Sequence, residues 1–236
     1  MISKDKPALI LLPFAGGNAY SYRDMLSNLQ TTYEVLLPEL PGRGSLSNQP
    51  LIDDANELAN YIVNKVIKPL DPARPYILYG HSMGGLLTYI VAQKVMQNNL
   101  PLPRHLIISG RNAPCFKREK QVHGYPATTF WSEIHAMGGL PKALLENREL
   151  QAYFEPIIRN DFKLVETYQY VKPDTLLDLP MTVFYGDQDN MTKESVESWQ
   201  QETKQPIKFI EMKGNHFFIF NHVTEITNYI NSLASL

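Results

Sequence analysis

The sequence has little of what marks several protein classes. Its 236 residues include one cysteine, Cys115, so no disulfide can form within the chain, and a reducing, cytoplasmic setting is expected. No run approaches the roughly 18 apolar residues of a membrane span, and no membrane association is expected. The N-terminal apolar run is only a few residues long and lacks the small-residue cleavage site of a secretory leader. Charge of one sign is also scarce. With 22 Lys and Arg against 24 Asp and Glu the net charge is -2, which argues against a nucleic-acid binder held by a broad basic surface. His and Cys show no zinc-ligand spacing, so neither a metal nor a cofactor is expected. There is no internal repeat and no low-complexity segment.

What the chain does have is alternation. Short apolar, β-rich runs occur at Ala8–Phe14, Tyr33–Leu37, Tyr76–Gly80, His105–Gly110, Met181–Gly186 and Pro206–Met212. Most are nearly continuous in apolar residues, as in strands of a parallel sheet covered on both faces. Helical patterns lie between them. From Asp53 to Lys68, Ala55, Leu58, Ala59, Ile62, Val63, Val66 and Ile67 recur on one face. Asp53 or Asp54 suits the N-cap and Pro69 ends the pattern. Further helices are expected from about Ser82 to Gln97 and from about His222 to Leu233. The order predicts an α/β fold with a mostly parallel central sheet flanked by helices.

One stretch breaks the rhythm. Between about Asn112 and Val171 no good strand is visible, and residues 127–137, 142–146 and 157–170 read as helix. That is too much for one crossover. The expected organisation is a single domain whose core comprises residues 1–111 and 172–236, with 112–171 inserted as a helical lid. Phe130, Trp131, Ile134, Met137, Leu140, Leu144, Leu145, Tyr153 and Phe154 would mostly pack the lid, with a few lining an apolar channel. Lys117, Arg118 and Lys120 are candidate contacts for an acidic partner.

The densest chemical signal is Gly80-His81-Ser82-Met83-Gly84. It is G-x-S-x-G, after an expected strand and opening an expected helix, which is the setting of a nucleophile elbow. Neither the dinucleotide fingerprint nor the Walker sequence fits these glycines. A nucleophilic serine needs a base and a group that orients the base, in the chain order Ser, acid, His for this fold class. His105 begins a strand, His123 and His135 fall in the lid and His222 starts the last helix. His216 sits in the loop after the last strand and is the candidate base. The acid should follow the preceding strand, where Asp187 and Asp189 are both available. Asp187 suits a turn-stabilising role, and Asp189 is better placed to reach across. An oxyanion hole needs two backbone N–H groups. Met83 supplies one, and the loop Pro13–Gly17 the other, with Ala15 the first candidate and Phe14 the second.

With these residues in view, the chain resembles the type II thioesterases, the stand-alone editing enzymes associated with nonribosomal peptide and polyketide synthases, within the α/β-hydrolase superfamily. The resemblance runs through Pro13–Gly17 with Ser21–Arg23, Leu40–Gly44, Gly80–Gly85, Ile108–Pro114, Arg159–Tyr170, Tyr185–Asp189 and Gly214–Phe218. It implies Ser82 and His216 as nucleophile and base. It selects Asp189, because the family's acid falls in a Gly-x-x-Asp pattern that maps onto Gly186–Asp189. Many members have Gly-Gly-His before the base, where this chain has Gly214-Asn215-His216. The implied activity is hydrolysis of mis-primed or stalled acyl groups from the phosphopantetheine arm of acyl or peptidyl carrier domains, by a monomer. A chain-releasing fatty acyl thioesterase, a small-ester carboxylesterase and, more remotely, a non-catalytic binding protein of the same fold are the alternatives.

Overall fold

The computed structural model describes residues 6–116, 120–139, 144 and 146–234. Among them are six strands: β1 (Ala8–Leu12), β2 (Glu34–Leu36), β3 (Tyr76–His81), β4 (His105–Ser109), β5 (Met181–Gly186) and β6 (Lys208–Met212). They form one sheet in the order β2-β1-β3-β4-β5-β6, parallel at every pairing.

Side-chain alternation along the strands explains why the central ones are apolar throughout. Ile10, Leu12, Leu78, Ile108 and Val183 enter a core with the helices α2 (Ala55–Ile62) and α3 (Met83–Gln97) on one face. Leu9, Leu11, Ile77, Tyr79, Ile107 and Phe184 enter a second core. That core also takes Met25 and Leu29 of α1 (Arg23–Leu29), and Ile226 and Ile230 of α7 (Val223–Ser232), on the other face. Each such fully buried side chain contributes about 1.5–3 kcal/mol. The edge strands β2 and β6 are only partly covered, and both are shorter than their apolar runs suggest.

The helix expected over 53–68 is α-helical only through Ile62. Asp54 caps it, accepting from Glu57 N–H at 2.8 Å. Residues 63–67 then continue as a single wide π turn, closed by Lys68 N–H to Val63 O at 2.9 Å.

Between β4 and β5 the described residues contain no strand, and α4 (Ala127–Met137) and α5 (Arg148–Thr167) dominate. Val122, Phe130, Ile134, Ile158 and Phe162 form a small core of their own there. Helix α5 starts nine residues before the expected position. Asn147 caps it by accepting from Glu149 and Leu150 N–H, and Pro156 is carried inside. It also stops early, at Thr167. Tyr170 instead donates to the buried carboxylate of Glu202 at 2.7 Å. Most of the expected helix 142–146, together with Lys117, Arg118, Leu140 and Leu145, lies outside the described residues. A five-residue helix, α6 (Lys193–Glu197), follows β5.

In an open parallel sheet, ligands bind beyond the carboxyl ends of the strands where the strand order reverses. Here that point lies between β1 and β3. The loops carrying Ala15 and Ser82 leave these two strands side by side.

Candidate active site

Ser82 follows β3 directly with φ 54° and ψ -113°, a backbone conformation that a non-glycine residue holds only when its surroundings enforce it. Close packing does so here. A Cβ on Gly80 would come within 2.1 Å of the Gly84 backbone, and one on Gly84 within 2.1 Å of Leu12 O. Ser82 N–H donates to Ser109 O at 2.8 Å, pinning the turn to the end of β4. The hydroxyl thus stands at the N-terminus of the 15-residue helix α3, where the helix dipole favours negative charge.

His216 lies in the loop after β6. Its Nδ1 is 2.8 Å from Asp189 Oδ2 and its Nε2 is 3.0 Å from Ser82 Oγ. With Nδ1–H donating to the carboxylate, Nε2 is left to accept the serine proton. Asp189 sits in the turn after β5. Its neighbour Asp187 faces elsewhere and accepts from Gly214 N–H at 2.8 Å. Gln188 N–H donates to Gly214 O at 3.0 Å. Asp187 therefore laces together the loops that carry Asp189 and His216.

The other histidines are occupied differently. His105 shares a 2.8 Å hydrogen bond with Thr182, and its burial pushes it down to about 4. His123 is bound by Glu166 within the helical segment. His222 occupies the N-cap position of α7. His81 is fully buried, hydrogen-bonded through Nδ1 to Ser109 Oγ at 2.9 Å, with its ring 5.0 Å from that of His216. Burial first, and then the neighbouring His216, hold it well below the usual histidine range. It is a neutral ring packed behind the partly buried ring of His216.

Ser82 and His216 open into a small, largely apolar pocket. Phe14, Ala15 and Phe217 line one part, and Ile134, Met137, Ile158, Phe162 and Val165 the other. Met83 is the first residue of α3, where N–H groups have no intrahelical acceptor. Ala15 is in the turn closed by Gly17 N–H to Phe14 O at 2.8 Å. Ile134 and Met137 belong to the set of which a few were expected to line a channel. Ile158, Phe162 and Val165 were not in that set: they fall within the expected helix 157–170, but nothing in the local pattern says which face of that helix borders the serine. Tyr153 is 55% exposed, and Lys120 is ion-paired with Glu133 at 3.1 Å. Among the described residues no three or more His, Cys, Asp or Glu are grouped to hold a metal ion.

The thioesterase domain family model matches residues 7–233. The chain belongs to that family. Among its relatives is the gramicidin S biosynthesis protein GrsT of Aneurinibacillus migulanus, 31% identical over 230 residues, covering 97% of this chain and 89% of that one. The RedJ thioesterase from the prodiginine pathway of Streptomyces coelicolor is 29% identical, with TM-score 0.89 over 96% of this chain and 89% of that chain. The type II thioesterase BorB from the borrelidin biosynthetic cluster is 30% identical, with TM-score 0.88 over 97% and 92%. The family and the α/β-hydrolase architecture are therefore those that the motifs implied. No helix of this thioesterase, among the described residues, is long and apolar enough to cross a membrane.

A second polar cluster beside the serine was not foreseen. Arg43 and Asp161 form a buried ion pair against the loop 13–17. Both residues stand in motifs that carried the family resemblance, without an assigned role. A signal was present: Asp161 interrupts the apolar face made by Ile157, Ile158, Phe162, Leu164 and Val165. A carboxylate in such a stripe is almost never buried unpaired.

Proposed function

We propose that this thioesterase hydrolyses acyl groups held as thioesters on the phosphopantetheine arm of synthase carrier domains, removing mis-primed or stalled chains, and that Ser82, His216 and Asp189 are its catalytic residues. The observation that carries the reading is the continuous chain of hydrogen bonds from Asp189 through His216 to Ser82 at the floor of an apolar pocket. Relatives named for type II thioesterase and antibiotic-pathway roles support the choice of substrate class.

In this mechanism Ser82 Oγ attacks the thioester carbonyl carbon while its proton passes to His216 Nε2. Asp189 holds the ring in the required tautomer and stabilises the imidazolium. The Met83 and Ala15 N–H groups receive the developing oxyanion, each such donor being worth about 3 kcal/mol. The C–S bond breaks, and the imidazolium proton goes to the departing sulfur. Water then attacks the acyl-serine, giving its proton to His216, and collapse of the second tetrahedral intermediate returns the serine hydroxyl and frees the acid. Thioester and water account for every atom. The helical segment 112–171 acts as a lid whose residues Ile134, Met137, Ile158, Phe162 and Val165 hold the acyl chain.

The test is a substrate panel: acyl-carrier protein, acyl-CoA and p-nitrophenyl esters with the same acyl group. The expected result is the highest kcat/KM on the carrier-bound thioester. A preference for the free ester by tenfold or more would instead indicate a small-ester carboxylesterase.

A further inference from the structure

The loop that carries the Ala15 N–H is held, just after Ala15, by two residues from distant parts of the chain. Arg43 and Asp161 pair through two parallel bonds, Nη1 to Oδ2 at 2.6 Å and Nη2 to Oδ1 at 2.7 Å. Their side chains are 4% and 0% exposed. The pair is not closed on itself. Asp161 Oδ2 also accepts from Gly16 N–H at 2.7 Å, and Arg43 Nη1 also donates to Gly17 O at 3.1 Å. The loop lies so close to α5 that a Cβ on Gly16 would meet Ile158 Cγ1 at 2.8 Å.

We infer that Arg43 and Asp161 are positioning residues for hydrolysis: they clasp the loop after Ala15 at the Ala15–Gly16 and Gly17–Asn18 peptide groups, fixing its backbone so that the Ala15 N–H is directed to the space beside Ser82 Oγ. The inference rests on the reading of Ala15 as an oxyanion donor. Stability alone does not account for such a pair, because apolar residues of similar volume replace buried ion pairs at little or no loss. An apolar pair, however, can neither accept from Gly16 N–H nor donate to Gly17 O. The same helix carries Ile158, Phe162 and Val165 of the pocket wall, so the clasp also ties the amide to the surface that receives the acyl chain.

Two probes separate holding the amide from merely holding the fold. An alkyl trifluoromethyl ketone captures Ser82: Oγ bonds to the carbonyl carbon, the hydroxyl proton passes to His216 Nε2, and the carbonyl π pair becomes a hemiketal oxyanion in the proposed hole. An alkyl-pantetheine thioether of equal chain length has no carbonyl and reads pocket binding alone. Affinities of both are measured for wild type, for Asp161→Asn and for the apolar double variant Arg43→Met/Asp161→Leu, each per folded enzyme. Small misplacements of a catalytic group cost up to about 100-fold. The expected result is therefore ketone affinity and kcat reduced about tenfold or more, with thioether affinity within about threefold of wild type. Unchanged ketone affinity in a folded variant overturns the inference. So does an equal weakening of both probes, or failure of both variants to fold, since either would make the pair plain scaffold. If wild type formed no ketone adduct, or if Ser82→Ala kept its activity, the underlying reading of the site would be at fault rather than the clasp.

Discussion

Asp189 and Asp161 are two carboxylates near the candidate site in different electrical settings. Asp189 faces His216, whose side chain is 21% exposed, and in the proposed mechanism that ring gains and loses a proton in each turnover. Asp161 faces a guanidinium that is permanently charged, and the pair is sealed from solvent. The first carboxylate, on the proposed mechanism, orients a proton carrier. The second, with Arg43, grips backbone. Partial exposure suits a group that must change charge, since desolvation would penalise the imidazolium. Full burial suits a fixed contact, which then resists screening by salt. One consequence is that the two regions should fail differently when altered: the first should lose activity and keep stability, while the second should lose both.

The largest separation is expected at the nucleophile. Ser82→Ala should lower kcat by about 10⁶, as loss of the serine does in a related triad, with thermal unfolding unchanged. Steady-state hydrolysis and a melting curve on the same sample check both halves. Next, Asp189→Asn should cost about 10⁴ in kcat through the wrong imidazole tautomer, again with the fold retained. Asp187→Asn, which touches only the Gly214 N–H, should stay within about tenfold of wild type. Equal losses at the two positions would mean that the acid has been misassigned.

On the other side of the comparison, Arg43→Ala strands the Asp161 carboxylate in a dry site and should destabilise the protein by about 3–5 kcal/mol, read by denaturant titration. A loss under 1 kcal/mol would show that water reaches the pair and that the contrast is weaker than drawn. The smallest effect is expected in the pocket wall. Met137→Ala removes apolar contact with the acyl chain and should shift the ratio of kcat/KM between short and long acyl groups by about tenfold. A uniform change across chain lengths would make the segment a cover without selectivity.

The two regions also differed in how far the sequence disclosed them. Ser82, Asp189 and His216 each stand a few residues after a strand, and the strand is an apolar run that announces itself locally. Glycine punctuation at Gly80, Gly186 and Gly214 marks the turns. Arg43 and Asp161 lie 118 residues apart, one in a loop and one mid-helix, and no local pattern states that they meet. The same limit applies to the pocket wall. Pro156 suggests a helix boundary from its missing N–H, whereas α5 carries it in the interior after an Asn147 cap. The face bearing Ile158, Phe162 and Val165 lies inside the expected helix 157–170, but no local pattern states that it borders the pocket. The π turn at 63–67 likewise leaves the apolar periodicity intact and escapes any reading based on it.

The most direct test of the account follows acyl transfer itself. A carrier protein loaded with a short acyl group through phosphopantetheine is mixed with the enzyme, and intact and peptide masses are recorded on a millisecond-to-second scale after acid quench. The account predicts loss of the acyl mass from the carrier together with a transient acyl adduct on the peptide containing Ser82, and neither event with Ser82→Ala. Release of the acyl group at an undiminished rate by Ser82→Ala, or a carrier that keeps its acyl group while free esters are hydrolysed, would contradict it.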